Sequence, residues 1–300
     1  MNNQINFSKF FKTAYIFSIL TIFVSILFLF FKGLNFGVDF KGGTLLEIRV
    51  SDANIKIQDI RDSLKTADLG DVSVKEFGKE GDFLVKFEKN ANENKKFISQ
   101  LKNNISKKIG SELNFRRVES VGPKVSSELL KQGITAIVLS LAAMLFYIWI
   151  RFEWQFSLGS IIALFHDVVI TLGIFSILSL EVNLSIVAAV LTIVGYSMND
   201  TVVIYDRIRE NLLKYSKINT NEIANISVNE TLSRTVITSL TTLLALSSIF
   251  ILGGEILKGF SFAMILGVII GTYSSIFVAS PVLNYFKVTQ KTLLKEDNIN

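Results

Sequence analysis

The sequence predicts a polytopic α-helical membrane protein: six transmembrane helices, with one external α+β domain between the first and the second. Three observations predict it. Half of the 300 residues are hydrophobic and 19% are charged, with a mean hydropathy of +0.45, a balance foreign to soluble domains. Six runs are long and apolar enough to cross a bilayer, which takes about 20 residues each. The remaining charges are bunched: of 57 Asp, Glu, Lys and Arg residues, 33 fall between residues 34 and 131.

The runs cover residues 13–31, 132–150, 156–178, 184–205, 235–253 and 260–285. The third holds His166 and Asp167 and the fourth holds Asp200; the other four carry no charge. The first follows Lys9 and Lys12, as the apolar part of a signal peptide does. It is too long for that and no A-x-A cleavage site follows, so it reads as a retained helix.

Lys and Arg in short connecting segments set orientation. With the N-terminus inside, the inner segments carry Lys9, Lys12, Arg151, Arg207, Arg209, Lys214, Lys217, Arg234, Lys287, Lys291 and Lys295. The two short outer loops, near residues 181–183 and 254–259, carry Lys258 alone. Residues 1–33 are thus expected to form a cytoplasmic N-terminus and the first helix. Residues 34–131 then lie outside, 132–286 form helices two to six, and 287–300 form a cytoplasmic tail.

Residues 34–131 alternate element types. Residues 44–50 read as a strand and 55–67 as a helix with Ile57, Ile60 and Leu64 on one face and Gly70 beyond its end. Residues 72–77 and 82–88 read as strands around a Gly-Lys-Glu-Gly turn. Residues 92–109 form a helix on which Phe97, Leu101, Ile105 and Ile109 recur every four residues, and 113–121 a last strand. The order βαββαβ is that of a split-βαβ, ferredoxin-like domain, a fold that fixes no function.

Composition also excludes several classes of function. The α+β segment has 18 basic and 15 acidic residues, so the net charge of +5 expresses membrane orientation and does not point to nucleic acid. There is no cysteine and one histidine, which leaves too few ligands for a protein-built zinc site. Gly254-Glu-Ile-Leu-Lys-Gly259-Phe260-Ser has the glycine spacing of a nucleotide-binding loop but Phe260 where Lys is required. No G-x-S-x-G or H-E-x-x-H string occurs. Neither a cofactor nor an enzymatic activity is expected, and any work must draw on an ion gradient or a partner.

Charges inside spans cost a few kcal/mol each at the bilayer centre and are retained for a reason. Asp167 lies 14 residues from both Glu153 and Glu181, about 21 Å from each end of its helix. Asp200 precedes Arg207 by seven residues, roughly 10 Å inside the cytoplasmic end, and Arg234 opens the next span at similar depth. The two are expected to form an ion pair. Protonation of Asp200 would weaken it in a proton-driven switch; otherwise the pair is static and fixes helix register. Thr192, Tyr196 and Asp200, with Asn199 beside them, and Arg234, Thr238 and Thr242 form polar stripes at helical spacing. His166 and Asp167 are adjacent, so they point about 100° apart and do not pair as an i,i+4 dyad would. They are either a second proton carrier or two groups bonded to other helices or a partner. Asp206, Arg207, Arg209 and Glu210 read as a solvated helix end, with room for a gating or partner contact. On the last helix Ala263, Gly267, Gly271, Ser275 and Ala279 recur every four residues and permit close packing by an internal or a partner helix. Gly37, Gly42 and Gly43, with Asp39, leave the first helix either as positive-φ backbone at a tight exit or as a joint that transmits helix movement to the domain.

Several strings resemble the SecF family. Gly37-Val-Asp39-Phe-Lys-Gly42-Gly43 matches its G-x-D-F-x-G-G motif, Val121-Gly-Pro123-Lys-Val125 precedes the second helix, and Arg151-Phe-Glu-Trp154 leads into the third. The longest match runs from Gly195 through Asn199-Asp200 to Asp206-Arg207-Ile-Arg209-Glu-Asn211. Thr238-Ser-Leu-Thr-Thr242 follows Arg234-Thr, and Gly271-Thr-Tyr-Ser-Ser275 and Ala279-Ser-Pro281 close the last helix. Ser126 stands where that family usually has Gly. The resemblance implies membership of the resistance–nodulation–division superfamily and a bacterial inner-membrane location. It also implies a heterodimer with SecD and work beside the Sec translocon channel and its associated membrane subunits. Unfolded exported polypeptides would be moved there by the proton (or sodium) gradient, with ion coupling on Asp200 and Arg234. A small-molecule efflux half-unit of the same superfamily is the alternative; such pumps usually carry twelve helices and two large domains in one chain.

Overall fold

The computed structural model of the chain describes residues 5–52, 55–65, 67–76, 78–89, 95–215, 218–286, 288–290 and 292–293. Phe77, Asn92, Lys217, Lys287, Lys291 and Lys295, which the sequence reading used, lie outside them. Two compact units result: one of Phe36–Ile134 with Val182–Leu184, the other of Met1–Asn35, Thr135–Glu181 and Ser185–Asn300.

After the two-residue strand β1 (Asn35–Phe36) and the short helix α2 (Val38–Lys41), strands β2 (Gly43–Val50), β3 (Val72–Glu76), β4 (Asp82–Phe87) and β5 (Leu113–Val121) of the smaller unit alternate with helices α3 (Ile57–Leu64) and α4 (Lys95–Ile109). The sheet order is β3-β4-β2-β5 with every neighbouring pair antiparallel, which is the split-βαβ arrangement. Alternation puts Leu46 and Ile48 of β2 on the same face as Val85, and all three are fully buried with Ile60 of α3 and Ile105 of α4. Helix α3 is shorter than expected because the Asp59 carboxylate accepts the Lys56 N–H and starts the helix there. Between β2 and β5 the register shifts at Glu47/Ile48, with Arg116 as the extra residue, a β-bulge.

The larger unit is a helical bundle. Helix α1 (Phe11–Phe31) ends at Gly33, whose φ of +70° and N–H bond to Phe28 O close the last turn. Helices α5 (Pro123–Arg151), α6 (Trp154–Ile177), α7 (Leu184–Lys214), α8 (Thr220–Leu252) and α9 (Glu255–Ser274) follow. A π-helical turn (Ser275–Ala279) then runs into α10 (Ser280–Tyr285). Within the unit, α6, α7 and the last span are the central helices. They bury 56%, 50% and 56% of their apolar windows, against 17%, 11% and 17% for α1, α5 and α8.

Two expectations about the helices need correction. The last span is not one uninterrupted α-helix from residue 260 to 285. Pro281 has no N–H to bond back down the helix, and Ser280 Oγ donates to Ser275 O at 2.8 Å across the widened turn. Helix α8 begins at Thr220, fifteen residues before the apolar run, because Asn219 caps it by accepting the Glu222 N–H; hydropathy marks where lipid-facing sequence begins, not where the helix does.

Candidate functional site

The buried polar centre of the bundle lies on the three central helices. Asp167 of α6 is 0% exposed and fully hydrogen-bonded. Ser197 Oγ of α7 donates to its Oδ2 at 2.5 Å and Ser274 Oγ of α9 donates to the same oxygen at 2.8 Å. His166 Nδ1 lies 2.8 Å from its Oδ1, so the two adjacent residues do pair. The expectation that they point too far apart overlooked that Nδ1, one bond beyond Cγ, reaches back to the neighbouring carboxylate. The expectation that each bonds to a polar group of another helix holds for Asp167, through Ser197 and Ser274, and not for His166, whose Nε2 has no partner.

Asp200 sits one turn beyond Ser197 on α7, 3% exposed, with Oδ2 buried and without a hydrogen-bond partner. The expected ion pair with Arg234 is not formed: among the described residues no N–O pair within 4 Å joins them, and Arg234 lies on the exposed side of α8. Its charge still acts on the Asp200 carboxylate from a distance, together with the Thr272 hydroxyl. The α8 residues on the buried face are the neighbours of the expected stripe. Thr235 is 1% exposed with Oγ1 unpartnered, and Ser239 Oγ lies 2.7 Å from Thr272 Oγ1. The stripe was read one residue out of phase because Arg234 drew it. Thr238 Oγ1 instead donates to Arg234 O, and Thr242 Oγ1 donates to Thr238 O while accepting Tyr196 Oη at 3.3 Å. Asn199 is exposed.

The small-residue stripe of α9 faces α7 within the chain. A Cβ on Gly267 would collide with Ile193, and one on Gly271 would stand 2.9 Å from Ser197 Cβ. Ser275 Oγ lies 2.8 Å from Thr201 Oγ1, and Tyr205 Oη donates to Ala279 O at 3.1 Å. A strict spacing of four drifts about 40° per repeat on an α-helix; the π turn, with more residues per turn, turns the stripe back onto α7.

The string Asp206-Arg207-Ile-Arg209-Glu-Asn211 is more than a solvated end. Arg151 at the end of α5 pairs with Asp206 at 2.8 Å, and Arg209 pairs with the buried Glu153 before α6 at 3.3 Å. Arg207 and Asn211 converge on Glu230 of α8, each at 2.7 Å, and Asn211 also reaches Ser227 at 2.9 Å. One end of α7 is thus tied to three other helices. Spacing alone gave no sign of this, because each partner lies on a different helix.

The opposite end of α7 is tied at the glycine-rich motif. Asp39, in the short helix α2 (Val38–Lys41), accepts the Leu184 N–H at 2.9 Å, and Gly37 donates to Val182 O at 2.9 Å. The carboxylate caps the first turn of α7, where helix N–H groups are free and the dipole is positive. Positive φ is required at Gly42 (+80°) and Gly43 (+113°), whereas Gly37 has φ −76°. The departure at Ser126 fits this joint: its Oγ donates to Pro123 O at 3.0 Å and stands 3.3 Å from where a Cβ on Gly42 would be.

Comparison with known proteins identifies this arrangement. Residues 101–289 match the family "Protein export membrane protein SecD/SecF, C-terminal". The chain belongs to the SecD/SecF family. Residues 27–53 also match the SecD/SecF GG motif. Protein translocase subunit SecF of Rickettsia rickettsii is 45% identical over 94% of this chain and 91% of its own length; that of Rickettsia bellii is 45% identical over 94% and 93%. Among solved structures, SecDF from Thermus thermophilus, a translocon-associated membrane protein, superposes with a TM-score of 0.85 at 34% identity. The match covers 95% of this chain and 39% of that one. A second SecDF structure, in a super-membrane-facing form, gives 0.70 at 32% identity over 100% and 41%. The relatives are translocase and translocon-associated proteins, which removes the efflux reading.

Proposed function

We propose that this chain is the SecF-type half of an ion-driven export device. Paired with a SecD-type partner beside the Sec channel and its associated subunits, it uses the proton (or sodium) gradient to help draw unfolded exported polypeptides across the bacterial inner membrane late in translocation. Both termini then lie in the cytoplasm, in keeping with the Lys and Arg of the inner segments, and the α+β domain lies outside. The chain is an auxiliary subunit of Sec protein export.

The observation that carries this reading is the Asp200 carboxylate, buried in the bundle with one oxygen unpartnered. An unmade bond at a buried charged group costs more than the roughly 1–3 kcal/mol of a neutral one, and a proton or a cation removes that cost. Gain and loss of the ion at Asp200 would alter its interactions with Thr272 and Arg234. Helix α7, tied to three helices at one end and to Asp39 at the other, would carry the change to the domain through Gly37, Asp39, Gly42 and Gly43.

The test is Asp200→Asn, in which the amide holds the shape but not the exchangeable charge. Export into vesicles containing both subunits is measured with and without an imposed proton gradient. The expected outcome is loss of the gradient-stimulated part, with gradient-independent export unchanged; full stimulation in the variant would remove Asp200 from the coupling.

A further inference from the structure

His166 is the sole histidine among 300 residues, and it stands where four helices meet. His166 Nδ1 lies 2.8 Å from the Asp167 side chain; with Asp167 ionised that nitrogen is the N–H donor and Nε2 keeps a lone pair. Nε2 is buried without a hydrogen-bond partner, in a residue 1% exposed. Retaining an unmade acceptor in a buried position costs about 1–3 kcal/mol, which an apolar side chain of the same shape would avoid.

The ring also links the surrounding helices. It stacks on Tyr273 of α9, with centroids 5.9 Å apart and planes at 24°. The Tyr273 hydroxyl donates to Ala14 O of α1 at 2.9 Å and lies 3.0 Å from Ser18 Oγ. Through Asp167 the ring reaches Ser197 of α7 and Ser274, the last residue before the π turn. The titratable groups in contact with it are Asp167 and Tyr273. Other titratable residues on the neighbouring helices include Lys12 and Tyr15 of α1 and Tyr196, Asp200 and Tyr205 of α7, and the π turn holds none.

We propose that His166 Nε2 is a second proton-accepting position of the bundle, distinct from Asp200, whose loading is passed through Asp167 to α7 and to the π turn of the last span. The proposal deepens the ion-coupled reading above and takes its physiological meaning from it. A proton from water forms an N–H bond at Nε2 and later returns to water from the same bond; nothing is oxidised or reduced. The loaded ring is a cation, held by the Asp167 carboxylate and by the face of Tyr273. It draws carboxylate charge toward Oδ1, so Oδ2 becomes a weaker acceptor for Ser197 and Ser274. The two serines that hold α7 and α9 to α6 thereby sense the proton.

The single histidine allows a direct reading. The chain is labelled with nitrogen isotope in histidine only, assembled with its SecD-type partner in bilayers, and the imidazole nitrogen NMR shifts are followed from alkaline to acid medium. Nδ1 is expected to stay protonated throughout, and Nε2 to gain a proton on acidification. Asp167→Asn removes the cation's counter-charge and is expected to alter the response of Nε2 to acid. A ring with one charge state across the series, or a titration indifferent to Asp167→Asn, overturns the proposal.

His166→Asn separates proton acceptance from a structural role. Its amide keeps a donor in the place of Nδ1 and has nothing at Nε2. Gradient-stimulated export is expected to fall by about tenfold or more, while the complex assembles as the parent does. Full stimulation in His166→Asn overturns the proposal. The NMR reading does not depend on export, so its failure is distinguishable from a failure of the coupling role of Asp200.

Discussion

At the scale of single residues, charges in the chain fall into two kinds: those satisfied by a partner and those that carry an unmet cost. Asp82 in the α+β domain is of the first kind; Arg49 holds its carboxyl below the usual range. In Lys86 burial outweighs the other interactions of the charge. Burial, then Lys75, push its ammonium down to about 8, against a weaker pull from Asp39. The folded domain binds that proton less tightly than the unfolded chain does. Stability is therefore expected to rise as pH climbs from about 8 toward the ordinary lysine value of 10.5. Lys86→Met should abolish that rise and stabilise the domain at neutral pH by about 2 kcal/mol, after allowance for partial exposure; the urea midpoint of the domain at neutral and alkaline pH measures both. Residue-scale chemistry was only partly legible in the sequence. Asp167 and Asp200 stand out as carboxylates in apolar runs. Ser197, Ser274 and Thr272, the hydroxyls around them, look like ordinary helix residues until three helices are brought together.

At the scale of elements, the joint after α1 shows why one motif contains glycines with different duties. Gly43 has φ +113°, and a Cβ there would stand 2.5 Å from Phe87 O; Gly42 has φ +80°, and a Cβ would meet Ser126 Oγ at 3.3 Å. Backbone cannot move aside as a hydroxyl can. Gly42, with φ +80° and ψ 173°, lies in a backbone region essentially restricted to glycine, so Gly42→Ala is expected to cost about 1–3 kcal/mol, and Gly43→Ala at least that plus the clash with β4, as thermal unfolding of the domain would show. Asp39 acts on a different element. Asp39→Ala removes the acceptor for Leu184 N–H and should cost about 1 kcal/mol at the start of α7. Hydrogen exchange in that first turn is then expected to quicken roughly fivefold, with Asp39→Asn intermediate because its amide oxygen still accepts. Element order and strand boundaries were legible because alternation and four-residue recurrence are local. The cap on α7 was not, since Asp39 and Leu184 are 145 residues apart. The early start of α8 was hidden too, because that stretch is helical without being apolar.

At the scale of the whole molecule, the bundle is uneven. Helices α6, α7 and the last span are buried against one another, while α5 and α8 bury 11% and 17% of their apolar windows. Hydrocarbon is a satisfactory neighbour for Leu139, Ile237 and Leu240, all exposed, but not for Arg234, also exposed on α8. A guanidinium in lipid costs a few kcal/mol or more, and Asp200 does not pair with it. The chain matches 39% of a SecDF chain; under the proposed function a SecD-type partner would lie against that face and take up the charge. The sequence contains no cysteine, so a single one can be introduced without background. Cysteine at Ile237 or Leu240 is expected to cross-link to introduced cysteines on the partner's helices, whereas cysteine at Val190, 1% exposed on α7, is not. Arg234→Ala should weaken recovery of the partner with the tagged chain, and Arg234→Lys should restore part of it. Cross-linking confined to second copies of this chain, or recovery of the partner unchanged by Arg234→Ala, would place Arg234 outside the subunit interface.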